Sequence, residues 1–317
     1  MQLVRQKGKM RNGWRVRGAV LSVLLVAAAG SGCATEPVAT SGSDGARPPR
    51  PAPGQPRAGS QGAGPAGALA AYAERTRKAH AARVAAAKRW GLKKTPLSPP
   101  APPAEKPGVT TRKGFEVTDG KGLPPVFTAV PTKEKVVFLT IDDGVDKDPE
   151  LLRLMSELSI PYSAFLTDYV VRDDYDFFEE MQDRGVTLHN HTLSHRYMPA
   201  LSYKEQKEEI CGQQRKMEKR FGNRPRLFRP PYGNYDRNTL RAAKSCGVKG
   251  VPLWAAEAFP DHMEWRDWDR KLHPGDIILT HFRGKAEWKA SMADLIRNVM
   301  NVVTAQGYAV ARLEDYV

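Results

Sequence analysis

The chain has 317 residues, more than one typical domain length and fewer than three. Its 41% hydrophobic content suffices for a packed core but not for a polytopic membrane protein, and 3 cysteines exclude a disulfide-dense scaffold or a four-cysteine zinc site made from this chain alone. The formal charge is +14, but residues 1–114 hold 20 Lys/Arg against 4 Asp/Glu while 115–317 hold 29 against 31, so a nucleic-acid partner of the C-terminal part has no electrostatic support.

At the N-terminus six basic residues from Arg5 to Arg17 precede an apolar run over 19–30, 12 residues long. A spanning helix needs about 20 residues, whereas the apolar region of a secretory signal needs about 7–15; residues 1–33 are therefore expected to be a signal peptide. The run ends at Gly30-Ser31-Gly32-Cys33, which resembles a bacterial lipobox, with Gly30 where that pattern wants a larger apolar residue. The resemblance implies lipidation at Cys33 and a lipoprotein on the outer face of the cell membrane; ordinary cleavage among the small residues, giving a secreted protein, is the alternative. Export brings Cys211 and Cys246 into an oxidising compartment, where they pair with each other or stay two separate buried thiols.

Residues 34–68 are rich in Pro, Gly, Ala and Ser without apolar periodicity, the composition of a disordered linker. Residues 69–94 are Ala-rich with interspersed Arg and Lys, which predicts a basic helix with little to bury. That helix suits anionic wall polymer or lipid headgroups, a solvated spacer being the alternative. A Pro-rich linker is expected over 95–114, and one folded domain over 115–317.

Within that domain strand and helix signals alternate. Strands are predicted at 135–141, 161–166, 186–189, 226–228, 248–254, 276–280 and 309–312, and helices at 149–158, 177–184, 203–221, 238–246 and 290–306. The alternation predicts an α/β fold with a parallel sheet and helices outside. About 200 residues are few for an eight-fold barrel of about 250, so the expectation is a distorted, incomplete (β/α) barrel, preceded by the disordered tether and the basic helix.

Polar residues cluster where strands end, the end that builds active sites in parallel α/β folds. Thr140-Ile141-Asp142-Asp143-Gly144 closes an apolar strand with two carboxylates. Neighbours in an extended chain point opposite ways, so one can bind a cation while the other takes a proton; a turn or helix cap is the structural alternative. His189-Asn190-His191-Thr192-Leu193-Ser194-His195 holds 3 of the chain's 7 histidines, too dense a cluster for chance. The His191/His195 spacing suits one side of a helical turn and a zinc ion, while His189 and His191 share a strand face as a second chelating pair. Phe228-Arg229-Pro230-Pro231-Tyr232-Gly233 is a stiff loop presenting an arginine and a tyrosine, or simply a packing loop. The run from Asp276 to His281 ends a strand with an imidazole able to give a proton, or with a structural histidine.

Together these segments resemble the polysaccharide deacetylases with a NodB-homology domain, carbohydrate esterase family four, over about residues 135–316 and in the family's motif order. The resemblance implies a divalent metal, usually zinc, held by Asp143, His191 and His195, in an enzyme that removes acetyl groups from N-acetylated sugars. It further implies Asp142 as catalytic base oriented by Arg229, the Tyr232 backbone N–H as oxyanion donor, His281 as acid, and Leu279, with Trp254 and Pro231, lining the substrate pocket. The products are acetate and a glucosamine unit.

The chain departs from the family in its fourth motif. Where Asp residues usually follow the strand tryptophan, this chain reads Trp254-Ala255-Ala256-Glu257-Ala258-Phe259-Pro260-Asp261, and Asp267-Trp268 comes later. Support of His281 is therefore expected from Glu257, Asp261 or Asp267. The leading expectation is a hydrolase of non-peptide carbon–nitrogen bonds in linear amides, acting on peptidoglycan, a chitin-like polymer or an exopolysaccharide. Its other partner would be the membrane, through the lipid anchor, with no obligate protein partner evident. An O-acetyl esterase using the same residues and a catalytically impaired wall-binding pseudoenzyme are the alternatives. A metallopeptidase would need a His-Glu-x-x-His pattern, which is absent.

Overall fold

The computed structural model describes residues 65–317. The signal segment, Cys33 and all of the 34–68 linker before Pro65 lie outside the described residues. In chain order the elements are α1 (Pro65–Arg89), β1 (Val126–Phe127), β2 (Val136–Asp143), α2 (Pro149–Leu158), β3 (Ser163–Leu166), α3 (Asp168–Val171), α4 (Tyr175–Asp183), β4 (Thr187–Asn190) and α5 (Tyr203–Phe221). There follow α6 (Arg237–Ser245), β5 (Val251–Pro252), β6 (Ala256–Ala258), β7 (Met263–Trp265), β8 (Ile277–His281), α7 (Lys285–Trp288), α8 (Met292–Ala305) and β9 (Ala309–Val310).

The main sheet runs β4-β3-β2-β8-β6-β7, with β9 beside the start of β2; all pairs are parallel except β6–β7. A second sheet pairs β1 with β5. Single bridges close the circuit: Asn190 to Phe228, Leu227 to Gly250, and Ala129 to Asp276. The result is a distorted barrel, regular on the β3-β2-β8 side and reduced to two-residue strands opposite. The strands predicted at 226–228 and 248–254 are thus bridges and a two-residue β5. The antiparallel β6–β7 hairpin has no counterpart in the sequence reading, because three-residue strands leave no periodic signal.

All eight residues of β2 are buried, as expected for a central parallel strand covered on both faces. Its alternation sorts the side chains. Val137, Leu139 and Ile141 join the outer core with α2 and α8, while Val136 and Phe138 join Phe165, Ile277 and Tyr316 in the barrel interior. Asp142 has the inward parity.

The helices carry local signals. Asp148 caps α2 by accepting from the Glu150 N–H at 2.8 Å, with Pro149 at the first helical position. Capping boxes start α5 (Ser202/Glu205), α6 (Asp236/Thr239) and α8 (Ser291/Asp294). A Cys211–Cys246 disulfide staples α5 to the end of α6, with the Cα atoms 5.0 Å apart.

α1 docks only by its C-terminal end, where Ala86 and Ala87 are buried in the core that contains α2. It stops before residue 94 because the chain turns at Gly91 (φ 71°), and the Leu92 N–H reaches back to the Ala87 carbonyl at 2.9 Å. The Pro-rich stretch expected as a free linker instead lies along the barrel. Leu97 bridges to Ala309, the Lys106 ammonium donates to the Glu314 carbonyl at 2.7 Å, and the Arg112 N–H to the Val126 carbonyl at 2.8 Å. Such polar and backbone attachments leave no apolar pattern to read. Among the described residues no helix is long and apolar enough to cross a membrane.

Candidate active site

The C-terminal ends of β2, β4 and β8, the turn over 230–233 and β6 converge, bringing Asp142, Asp143, His191, Arg229, Glu257 and His281 close together. Asp142 sits opposite His281 in the β2–β8 register. Its Oδ1 accepts from Arg229 Nη1 at 2.6 Å, and Arg229 Nε donates to the Pro252 carbonyl at 2.8 Å. The guanidinium is fully buried, its carbon 4.3 Å from the centre of the Phe165 ring. Burial pulls the Arg229 pKa down from its ordinary value, and Asp142 opposes this.

Asp143 does not diverge from Asp142 as an extended chain would require. Its φ of 79° turns the carboxylate back, so that both acids reach His191. Asp143 Oδ1 lies 3.5 Å from His191 Nε2 and 3.3 Å from His195 Nε2. Gly144 (φ 98°) follows, and a Cβ there would lie 2.4 Å from Val171.

The two imidazoles are not brought together by a helical turn. Residues 191–195 form a loop in which Thr192 (φ 74°) and His195 (φ 55°) are left-handed. Buried polar side chains hold this shape. Asn190 Oδ1 accepts from the Thr192 N–H at 2.8 Å, and Glu209 on α5 accepts from the Ser194 N–H at 2.9 Å and from its hydroxyl. His191 Nδ1 donates to the Arg229 carbonyl at 2.7 Å, which leaves the Nε2 lone pair for the pocket. Burial, helped by neighbouring His191, pushes His195 down to about 4, so it is neutral at neutral pH. Burial opposes charge on Asp143 as well, but the surrounding imidazoles of His191, His281 and His195 together outweigh it and hold the carboxyl well below the usual range.

These groups fit a small divalent cation. Asp143 Oδ1 is buried without a hydrogen-bond partner, and it, His191 Nε2 and His195 Nε2 lie within 4.8 Å of one another. Ligands at about 2.0–2.2 Å from a tetrahedral centre stand about 3.3–3.6 Å apart, the spacing seen from Oδ1 to both nitrogens. His189 is not part of the group. It points into the barrel interior against Phe165 and meets Glu314 at 2.7 Å, which sets aside the His189/His191 chelating pair.

Of the three carboxylates expected near His281, only Glu257 comes close, its Oε1 3.5 Å from His281 Nδ1. Asp261 is exposed and pairs with His262, and Asp267 pairs with Arg112. Burial, with Glu264 and Asp142 nearby, raises Glu257 to about 7, and burial lowers His281.

Tyr232 (φ 61°) caps the turn over 230–233; its exposed ring stands edge-on to His195, centroids 4.8 Å apart. Gly233 is required beside it, because a Cβ would meet the Trp254 ring at 2.8 Å. Pro231 is buried, Trp254 is partly buried, and Leu279 lies under His281 on the inward face of β8. Asn190, Glu209 and Arg283 are further members of the site that the sequence reading missed. Nothing in the residues around Glu209 separates it from the other acids of a charged helix. A cavity of about 600 Å³ opens at the other end of the barrel, beside His189 and Glu314, and contains none of these strand-end groups.

Residues 129–251 match the family described as polysaccharide deacetylase. An uncharacterized protein of Streptomyces coelicolor is 39% identical over 218 residues, 68% of this chain and 87% of the relative. A peptidoglycan-N-acetylglucosamine deacetylase of Bacillus cereus is 27% identical over 195 residues, 56% of this chain and 86% of that one. Among solved structures, a mutant of a CE4 family pseudoenzyme from Bacillus anthracis with restored enzymatic activity superposes with a TM-score of 0.53 at 24% identity, covering 61% of this chain and 71% of that one. That last likeness concerns the fold.

Proposed function

Since this chain belongs to the polysaccharide deacetylase family, we propose that it is a metal-dependent hydrolase removing N-acetyl groups from an N-acetylglucosamine-containing polysaccharide, with peptidoglycan the favoured substrate and zinc the favoured metal. The observation that carries this reading is the partnerless, buried Asp143 Oδ1 facing two imidazole nitrogens, while Asp142 is held apart by Arg229.

A cation on Asp143, His191 and His195 would supply Lewis acidity for the acetyl carbonyl and acidify water. The remaining steps belong to the chain. Asp142, gripped by Arg229, takes the proton of the attacking water. The Tyr232 backbone N–H donates to the carbonyl oxygen as charge develops there, a preorganised contact worth about 2.7–4 kcal/mol. His281 gives a proton to the departing nitrogen, because an amide anion is too basic to leave. Leu279 and Trp254 wall the acetyl group. The same proposal has the chain exported by its N-terminal segment and tethered through a lipid on Cys33, the linker giving reach into the wall.

The test is acetate release from peptidoglycan and from N-acetylated chito-oligomers, with chelator and after zinc is restored. Release from peptidoglycan that stops with chelator and returns with zinc is expected. The 3.5 Å separation of Glu257 from His281 favours one second reading, a wall-binding protein of impaired catalysis. Zinc-loaded protein that binds peptidoglycan and releases no acetate would establish it.

A further inference from the structure

We propose that Arg283 is a positioning residue for Asp143, restricting it to one oxygen as a metal ligand; this rests on the reading of Asp143, His191 and His195 as a metal site. Arg283 Nη2 donates to Asp143 Oδ2 at 2.7 Å, and Arg283 Nη1 donates to Glu287 Oε2 on α7 at 2.5 Å. The two oxygens of Asp143 therefore differ. Oδ2 is occupied by a charge-assisted hydrogen bond, and Oδ1 is buried, without a partner, between the two imidazoles. A carboxylate with both oxygens free can bind a cation through either or both. This one presents a single oxygen, already aimed.

The arginine is itself held from several sides. The Phe282 N–H donates to the Asp142 carbonyl at 3.0 Å, the Asp146 N–H to the Phe282 carbonyl at 3.0 Å, and the Arg283 N–H to the His281 carbonyl at 2.9 Å. At Gly284 the chain passes so near Asp146 that a Cβ would lie 2.6 Å from its Oδ2. The end of β8, which carries His281, is thereby tied to the ligand on β2.

A guanidinium beside a metal site also repels the cation, and the two effects oppose each other. Here Glu287 lies as close to Arg283 as Asp143 does, so its charge offsets that of the guanidinium and the positioning effect prevails. The proposal thus has a definite sign: loss of Arg283 weakens metal binding.

Zinc affinity is measured by competition titration on the purified protein, and the visible spectrum is recorded after cobalt substitution. Arg283→Met is expected to weaken zinc binding about 10–100-fold, the usual effect of losing a partner behind a ligand. Its cobalt spectrum is expected to lose intensity as Asp143 becomes free to bind through both oxygens. Arg283→Lys should recover part of the affinity, and Glu287→Gln should weaken binding by a smaller factor. Zinc affinity in Arg283→Met that equals or exceeds wild type, or an unchanged cobalt spectrum, overturns the role. If Arg283→Met does not fold, unchanged zinc affinity in both Arg283→Lys and Glu287→Gln overturns it. If the wild-type protein binds no zinc, it is the metal-site reading that has failed; if the wild type binds and the variants match it, only the role of Arg283 has.

Discussion

Asp142 and His281 are cross-strand partners, directly opposite one another where β2 and β8 end. Each has its own outer partner, Arg229 at 2.6 Å for Asp142 and Glu257 at 3.5 Å for His281. The proposed proton acceptor and the proposed proton donor thus stand on the two most central strands of the sheet, while the loop that carries His191 and His195 follows β4. Asp142→Asn keeps the shape and removes the proposed base. Acetate release should fall by about 10²–10⁴-fold, with zinc content unchanged by metal analysis, since Asp142 lies outside the group of three.

Glu257 is the carboxylate that reaches His281. Glu257→Ala should lower the rate about 10-fold or more, whereas Asp261→Ala and Asp267→Ala should leave it unaltered. Equal rates in all three variants would mean that His281 works without a carboxylate behind it.

Arg229 is fully buried against Asp142. Arg229→Met leaves a buried carboxylate without its partner, and such losses cost about 3–5 kcal/mol. Urea unfolding should show a lower midpoint of that order. A stability equal to wild type would show that Asp142 is compensated elsewhere.

The Cys211–Cys246 link joins residues 35 apart in sequence. Replacing both with serine should lower stability by about 2–4 kcal/mol, chiefly by freeing the unfolded chain. Thermal unfolding with and without reductant checks this, and reductant should not affect the double variant.

Asp294 is held down at about 2 by the Ser291 backbone and hydroxyl, then by Arg297. A carboxyl depressed in the folded state adds stability above its unfolded pKa of about 3.9, and that stability is lost as pH falls towards 2. The group is partly exposed, so solvent screening keeps the effect to about 1 kcal/mol. Asp294→Asn should flatten the acid limb of the stability curve between about pH 4 and 2.

By itself the sequence determined the elements with strong local signals: β2 with its unbroken apolar run, α2 and α5 at their observed limits, and the order of polar strand ends. It also carried Asp143, His191 and His195, because residue type and motif are local information. The barrel's weak side was not legible, since two-residue strands and single bridges have no period. Nor was the geometry that makes the site. The φ of 79° at Asp143, the left-handed Thr192 and His195, and the choice of Glu257 over Asp261 and Asp267 all come from long-range packing. Arg283 shows the limit most clearly. It lies 140 residues from Asp143, and only the closing of β8 against β2 brings guanidinium and carboxylate together.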